Sequence, residues 1–335
     1  MTAPPPHSLA VPLREDSSVG EARRAARALA RALAFADVDA EHVSIVATEA
    51  SRNAVLHGGG GELVLTPDPG GAYVDVLALD RGAGIADLAH AMRDGYSTSG
   101  TPGHGLGAMS RLASLLDVYS APGLGTALLA RVGAPRSPAA GAVEVGAVCV
   151  PLRTEPVSGD AWAVESPGGR PVMLVADGLG HGALAAEAAR AAVATFRAQA
   201  DLSAERLVER LHQALRPTRG AAVAVAGLSG EGDRLRYAGI GNISGLLWGS
   251  TKTRRMVSLA GTAGHEVRTV RGFDYDWPGD GTLLIMHSDG IATHWDLASY
   301  PGLAVHHPAL VAGVLYRDFA RGRDDATVVV ARRAR

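Results

Sequence analysis

Gly133-Ala-Pro-Arg-Ser-Pro-Ala-Ala-Gly141 cuts this chain into two stretches, and no helix or strand can run through it. Its prolines remove backbone donors and its glycines favour turns, so regular elements must stop on either side. At 335 residues the chain is long for one domain, and the break predicts two of ordinary size. The expected boundaries are a flexible tail over 1–17, a first domain over 18–133, a linker over 134–141 and a second domain over 142–335.

The pattern of elements differs on the two sides. Ser18-Val-Gly-Glu21 reads as a capping box opening an amphipathic helix to about residue 35. A second helix is expected over 39–57, stopped by the glycine run 58–61. Strands follow at 62–66 and 72–79 around the turn Pro67-Asp-Pro-Gly-Gly71, then a short helix at 86–93, a loop at 94–104, a helix at 106–116 and strands at 117–120 and 126–132. Beyond the break, strand runs dominate at 143–150, 171–176, 221–226, 235–238, 282–286 and 326–331, with helices at 183–200 and 204–215. Strands paired with a block of helices predict an α+β layered domain.

Composition excludes several classes of function. A net charge of −2 with no basic stripe argues against a nucleic-acid partner. Cys149 is the only cysteine, which rules out an internal disulfide and a cysteine metal site. No run of roughly 18 apolar residues and no apolar leader region occur, so a cytoplasmic protein without a membrane partner is expected. His306-His307 lacks a third nearby ligand and is expected at the surface, and the four tryptophans lack basic interleaving and are expected in core or rim packing.

Two acidic constellations carry the chemistry. In the first, Glu49 and Asn53 share a helix face. An amide oxygen suits Mg²⁺, which binds few protein groups plus phosphate oxygens. The neighbouring carboxylate can orient or deprotonate an attacking hydroxyl. Asp80, at a strand end, can accept from an exocyclic amine, and Gly82 and Gly84 allow close backbone approach to a ligand. Gly103-His-Gly105-Leu-Gly107 opens a helix whose amides favour phosphate. In the second constellation Asp160, Asp177, Asp289 and Asp324 stand at strand ends beside glycine or another carboxylate. Their mutual repulsion calls for divalent metal, and oxygen ligands favour Mg²⁺ or Mn²⁺ over zinc. Paired ions can activate a water for attack on a phosphoester.

Taken in order, the first set resembles the GHKL ATPase/kinase superfamily. Glu49-Ala-Ser-Arg-Asn53-Ala-Val-Leu-His57-Gly58 matches its N-box, Asp80-Arg-Gly-Ala-Gly-Ile85 its G1 box, Gly103 to Gly107 its G2 box and Gly125-Thr126 its last nucleotide-contacting box. Arg93-Asp-Gly-Tyr-Ser-Thr-Ser-Gly100 is similar to the short lid of RsbT-type switch kinases, which act on STAS-domain proteins of the stressosome. The likeness spans roughly 18–132 and departs at Pro102-Gly-His104, where that subgroup has a tighter glycine run. It implies ATP, with Asn53 as Mg²⁺ ligand, Glu49 as catalytic base, Asp80 as adenine reader, and the boxed glycines and Thr126 around the nucleotide.

The second set, with Asp177-Gly-Leu-Gly-His181-Gly182 at its centre, resembles the SpoIIE-like branch of the PPM protein phosphatases. That likeness implies that Asp160, Asp177, the Gly178 carbonyl, Asp289 and Asp324 hold the ions, Asp324 being preferred to Asp325. His181 is read either as ordering its loop or as a general acid for the leaving serine. Tyr237-Ala-Gly-Ile-Gly-Asn242 also resembles the family, with Asn242 in a supporting role, and the short second domain is most like the compact RsbX-type enzymes. The resemblances imply a GHKL (Bergerat) α/β sandwich followed by a PPM-type α/β/β/α sandwich. The expected function is a bifunctional switch, kinase and phosphatase on one chain, aimed at a STAS-domain protein in a sigma-factor pathway. The rival is a phosphatase whose first domain is a nucleotide-gated binding module, like an anti-sigma factor, without kinase activity.

Overall fold

The computed structural model describes residues 7–85, 105–133, 143–228, 234–249 and 252–333. The helix expected at 86–93, the loop at 94–104 and the linker at 134–141 lie outside them. The backbone forms two compact units, Met1–Arg136 with Asp296–Arg317, and Ser137–Trp295 with Asp318–Arg335. No described helix is long and apolar enough to cross a membrane.

In the first unit, β1 (Leu9–Leu13), β2 (Gly61–Pro67), β3 (Tyr73–Leu79), β4 (Leu115–Ser120) and β5 (Thr126–Gly133) form an antiparallel sheet in the order β1-β2-β3-β5-β4. Against one face lie α1 (Asp16–Ala32) and α2 (Asp37–Gly58), with α3 (Gly105–Leu112) beside α2. Period-two alternation sends Leu63, Leu65, Val74, Val76 and Ala78 into a core with Ala22, Ala26, Leu29, Ala47, Ala50 and Ala54 of the helices. Small residues on the helix side let the backbones approach the sheet closely. Each buried Leu or Val contributes about 1.5–3 kcal/mol. α2 ends in a left-handed Gly59 (φ 69°), a conformation open to glycine at little cost.

Three local expectations need correction. Residues 9–13, expected in a frayed tail, form β1 and pair with β2 from Leu9↔Leu65 to Leu13↔Gly61. Buried Val11 and Leu13 drive this, and Pro12 is tolerated because β1 is an edge strand. The capping box at Ser18 is absent: α1 starts at Asp16, and the Ser18 hydroxyl donates to the Glu15 carbonyl at 2.5 Å. The helix expected to reach residue 116 stops at Leu112, because Leu115 and Leu116 pair with Arg131 and Ala130 of β5. A short apolar run suits either state, and tertiary pairing decided it.

Residues 296–317 contribute two 3-10 turns and most of the helix Pro308–Phe319 to this unit. Gly313 of that helix abuts Leu77 and Leu79 of β3, where an added Cβ would sit 3.2–3.3 Å from their methyls. His306 and His307, expected at the surface, instead cap Asp117: His306 Nδ1 lies 2.7 Å from one carboxylate oxygen and the His307 amide donates to the other at 2.7 Å. His307 is buried.

The second unit holds two five-stranded sheets. β7 (Asp160–Glu165), β8 (Val172–Gly178), β9 (Ala221–Leu228), β10 (Arg234–Ile240) and β13 (Phe273–Asp276) run in the order β13-β10-β9-β8-β7. β6 (Val143–Val150), β11 (Ser244–Trp248), β12 (Thr253–Arg255), β14 (Leu283–His287) and β15 (Ala326–Arg333) run in the order β12-β11-β14-β15-β6. Between the sheets pack Met173, Val175, Tyr237, Trp277, Leu284, Met286 and Val329. On the outer face of the first sheet, α4 (Ala183–Ala198) and α5 (Ala204–Ala214) bury Phe196, Leu207 and Leu211 against Leu174, Val223 and Val225. This is the α/β/β part of the expected sandwich, and it brings the starts of β7 and β15 and the ends of β8 and β14 to one edge.

Candidate functional site

Gly105, the first residue of α3, lies over Glu49 and Asn53: a Cβ there would meet Glu49 Oε2 at 3.1 Å and both amide atoms of Asn53 at 3.8 Å. Glycine keeps that space open. Among the described residues neither side chain has a hydrogen-bond partner, so both remain available to a ligand. Gly107 lies within the first turn of α3, and Gly103 falls outside the described residues.

Asp80 is buried at the end of β3. Its Oδ1 accepts the Gly82 amide at 2.8 Å and the Thr126 amide at 3.0 Å, which fixes the carboxylate and leaves Oδ2 without a hydrogen bond among the described residues. Gly58 makes this possible, since a Cβ there would sit 2.5 Å from Asp80 Cβ and Cγ. Gly82 packs on Gly58 in turn, and Gly84 and Gly125 adopt φ values of 76° and 72° against neighbouring backbone. Ser120 ties the loop together by accepting from the Ile85 amide at 2.8 Å and meeting Thr126 Oγ1 at 2.9 Å. Arg317 donates to the Asp80 carbonyl at 2.7 Å. Sequence reading singled out neither Ser120 nor Arg317, whose partners Ile85 and Asp80 lie 35 and 237 positions away.

In the second unit Asp160 and Asp177 stand directly opposite each other across β7 and β8. Like charges in that register destabilise a sheet. Burial pushes Asp160 up to about 7, with repulsion from Asp325 and Asp324 adding to it against the hydrogen bond from Ser288. The Ser288 hydroxyl donates to Asp160 at 2.6 Å. Burial, then repulsion from Asp160, Asp289 and Asp324, pushes Asp177 up to about 9. Asp289 is also raised, by burial and by Asp324, while accepting from Asn242 Nδ2 at 2.8 Å. Asn242 therefore touches a candidate ligand directly.

Asp324 and Asp325 divide clearly. Both oxygens of buried Asp325 are taken by backbone amides, Leu152 at 2.7 Å and Gly159 at 2.8 Å. Among the described residues, Asp324 accepts only the adjacent Asp325 amide, at 2.9 Å. Gly178 has no room for a Cβ against the Ala185 carbonyl, and its amide donates to the Gly159 carbonyl at 2.9 Å. His181 is exposed and its Nδ1 lies 2.7 Å from Glu155 Oε1, a partner the sequence did not suggest.

Among the described residues no three His, Cys, Asp or Glu side chains close on one point as a ready-made cage. The donor set still fits a hard divalent cation. Two facing carboxylates that hold protons into neutral pH mark a place where positive charge is missing, and Mg²⁺ commonly uses one or two carboxylates and keeps several waters. A cation there would replace the protons.

Comparison with known proteins matches the N-terminal and C-terminal stretches of the chain to different families, the second match including residues 296–317. Residues 11–132 match the family described as histidine kinase-like ATPase domain. Residues 167–334, just over half the chain, match the family described as stage II sporulation protein E (SpoIIE). The serine/threonine-protein kinase RsbT of Bacillus subtilis (strain 168) is 35% identical over 111 residues, 32% of this chain and 84% of RsbT. The phosphoserine phosphatase RsbX of the same organism is 30% identical over 91 residues, 27% of this chain and 46% of RsbX, so under half of that relative's length is matched. A solved structure from work on the bacterial stressosome, described as a modular system adapted to control secondary messenger signaling, is 28% identical with a TM-score of 0.52, covering 57% of this chain and 99% of that one.

Proposed function

Since this chain belongs to the SpoIIE family through its C-terminal part and to the RsbT kinase family through its N-terminal part, we propose that it is a partner-switching regulator that both phosphorylates and dephosphorylates a STAS-domain protein. The observation that carries the phosphatase half is the Asp160–Asp177 pair, two facing carboxylates that need a cation. Asp160, Asp177, the Gly178 carbonyl, Asp289 and Asp324 would hold Mg²⁺ or Mn²⁺. Bound there, the cations supply Lewis acidity and a water activated at neutral pH.

The chain's own residues set that site. Ser288 orients Asp160, Asn242 orients Asp289, and Asp325 ties the β6–β7 connection to the start of β15. Glu155 holds the His181 ring by Nδ1, which turns Nε2 outward to protonate the serine oxygen that leaves phosphorus. In the kinase half, Asp80 Oδ2 would accept from the adenine amine and Asn53 would hold the Mg²⁺ of ATP, while Glu49 would take the proton of the substrate hydroxyl, the terminal phosphoryl group passing to that oxygen with ADP leaving. The glycines beneath Asp80 and over Glu49 keep both ends of that site open.

The test is phosphate transfer with each site disabled in turn. With labelled ATP and a STAS-domain protein, Asn53→Ala should abolish labelling and leave dephosphorylation intact. Asp177→Asn should do the reverse. Nucleotide-dependent binding without labelling by the Asp177→Asn chain would replace the kinase with an anti-sigma-like binding module.

A further inference from the structure

Beside the loop that carries Asp177 and His181 lies a cavity of about 600 Å³, whose lining includes Leu179, Gly180, Leu184, Glu187, Thr218 and Arg219. We propose that this cavity is the substrate-specificity site of the phosphatase, seating an apolar side chain next to the phosphorylated residue of a protein substrate while Arg219 holds an oxyanion at its rim. The inference rests on the phosphatase reading above and adds to it the kind of sequence the site selects.

Its size decides what it holds. The volume lies within the usual range for ligand sites and far exceeds a single phosphoryl group, which leaves room for flanking side chains. Leu179 and Leu184 are 49% and 50% exposed, an unusual state for large apolar residues on either side of a glycine-rich loop. An incoming apolar side chain would cover both.

Arg219 supplies the charge. An added Cβ at Gly180 would lie 3.3 Å from its Nη1, so the guanidinium rests against the loop two residues beyond Gly178. Among the described residues Arg219 makes no hydrogen bond or ion pair. A free guanidinium beside an acidic centre recognises an oxyanion in bidentate fashion. It is held in place by backbone, since Leu179 N–H donates to the Gly220 carbonyl at 3.0 Å and Gly220 N–H to Thr218 Oγ1 at 3.0 Å. The cavity is thus continuous with the catalytic loop, with Leu179 and Leu184 on an apolar wall, Arg219 as its guanidinium and, among the described residues, Glu187 as its one carboxylate. That complements a phosphorylated segment with an apolar neighbour. The oxyanion is either the phosphoryl group itself or a carboxylate of the same segment.

The full-length chain with Mn²⁺ is assayed on p-nitrophenyl phosphate and on three phosphoserine peptides, one with leucine beside the phosphoserine, one with serine there, and one with leucine and a nearby aspartate. The unaltered chain should prefer the leucine peptides. Leu184→Ser, a change at an exposed position, should raise KM for them roughly tenfold at constant kcat, with p-nitrophenyl phosphate unaffected, as expected for loss of apolar contact. Arg219→Ala should raise KM for every substrate if the phosphoryl group is the oxyanion, or only for the aspartate peptide if a carboxylate is, and Arg219→Lys should recover part of the loss. Equal KM for all peptides in both variants would overturn the inference while leaving the phosphatase reading intact. An unaltered chain that hydrolyses none of the four substrates would overturn both.

Discussion

Replacing Asp177 with Asn should stabilise the metal-free protein while abolishing its phosphatase activity. In the folded chain burial and the neighbouring carboxylates push the Asp177 carboxyl up to about 9, against an ordinary value of 3.8. A carboxyl whose folded pKa is raised contributes no penalty below about 4, and destabilises progressively as pH rises from there to about 9. At pH 7 the folded state must hold a proton that the unfolded state has released, over roughly three pH units at about 1.4 kcal/mol each. That amounts to about 4 kcal/mol. The buried amide of Asn returns about 1–3 kcal/mol of it in imperfect hydrogen bonding. The net gain is then about 1–3 kcal/mol, or about 2–10 °C in the melting of a domain this size. Thermal unfolding of the Asp177→Asn chain and its parent, followed in EDTA from pH 4 to 9, reads this directly. The parent should lose stability steadily with rising pH, and the variant should lose less. Mn²⁺ should raise the parent's melting temperature and leave the variant's almost unmoved. Parallel pH slopes in EDTA, with the variant melting at or below the parent at pH 8, would refute the claim that facing carboxylates carry an uncompensated charge.

Gly58→Ala should drive a methyl into Asp80, 2.5 Å from its Cβ and Cγ, and calorimetry should find ATP affinity lowered at least tenfold with the phosphatase unaffected. Asp325→Ala leaves the Leu152 and Gly159 amides without acceptors, and denaturant unfolding should show a loss of about 1–3 kcal/mol per amide left buried. Arg131 makes a bidentate pair with buried Asp75 at 2.7 and 2.8 Å, so Arg131→Ala strands a buried charge and should cost about 3–5 kcal/mol. The double change Asp75→Ala with Arg131→Ala should cost less than Arg131→Ala alone, and equal losses would count against the ion-pair account.

What the sequence disclosed tracks the range over which the physics acts. Asp80, Asp177 and Asp289 were readable because each sits where a strand ends within two residues of glycine, a local pattern with a local cause. α2 was readable for the same reason, its periodic face running into a glycine stop. Ser288 and Glu155 were not, since they act by hydrogen bonds to residues 128 and 26 positions away, and a lone Ser or Glu carries no local mark of that partner. Asn242 was marked as a supporting residue by its motif, but its bond to Asp289, 47 positions on, was not foreseen. β1 went unseen because a five-residue strand containing proline looks like a tail until β2 is placed beside it. The Pro308–Phe319 helix escaped for the opposite reason. Buried along its length to Arg317, it lacks the polar stripe that announces a surface helix.

The 296–317 excursion constrains anyone who would treat this chain as two separable cassettes. A fragment cut at the glycine-proline break would leave behind the helix that shields Leu77 and Leu79, together with the guanidinium that anchors the Asp80 carbonyl. Such a truncation would lay bare a greasy sheet surface and invite self-association. Transplanting the ATP-binding module intact calls for a grafted copy of 296–317, or for polar replacements at Leu77 and Leu79.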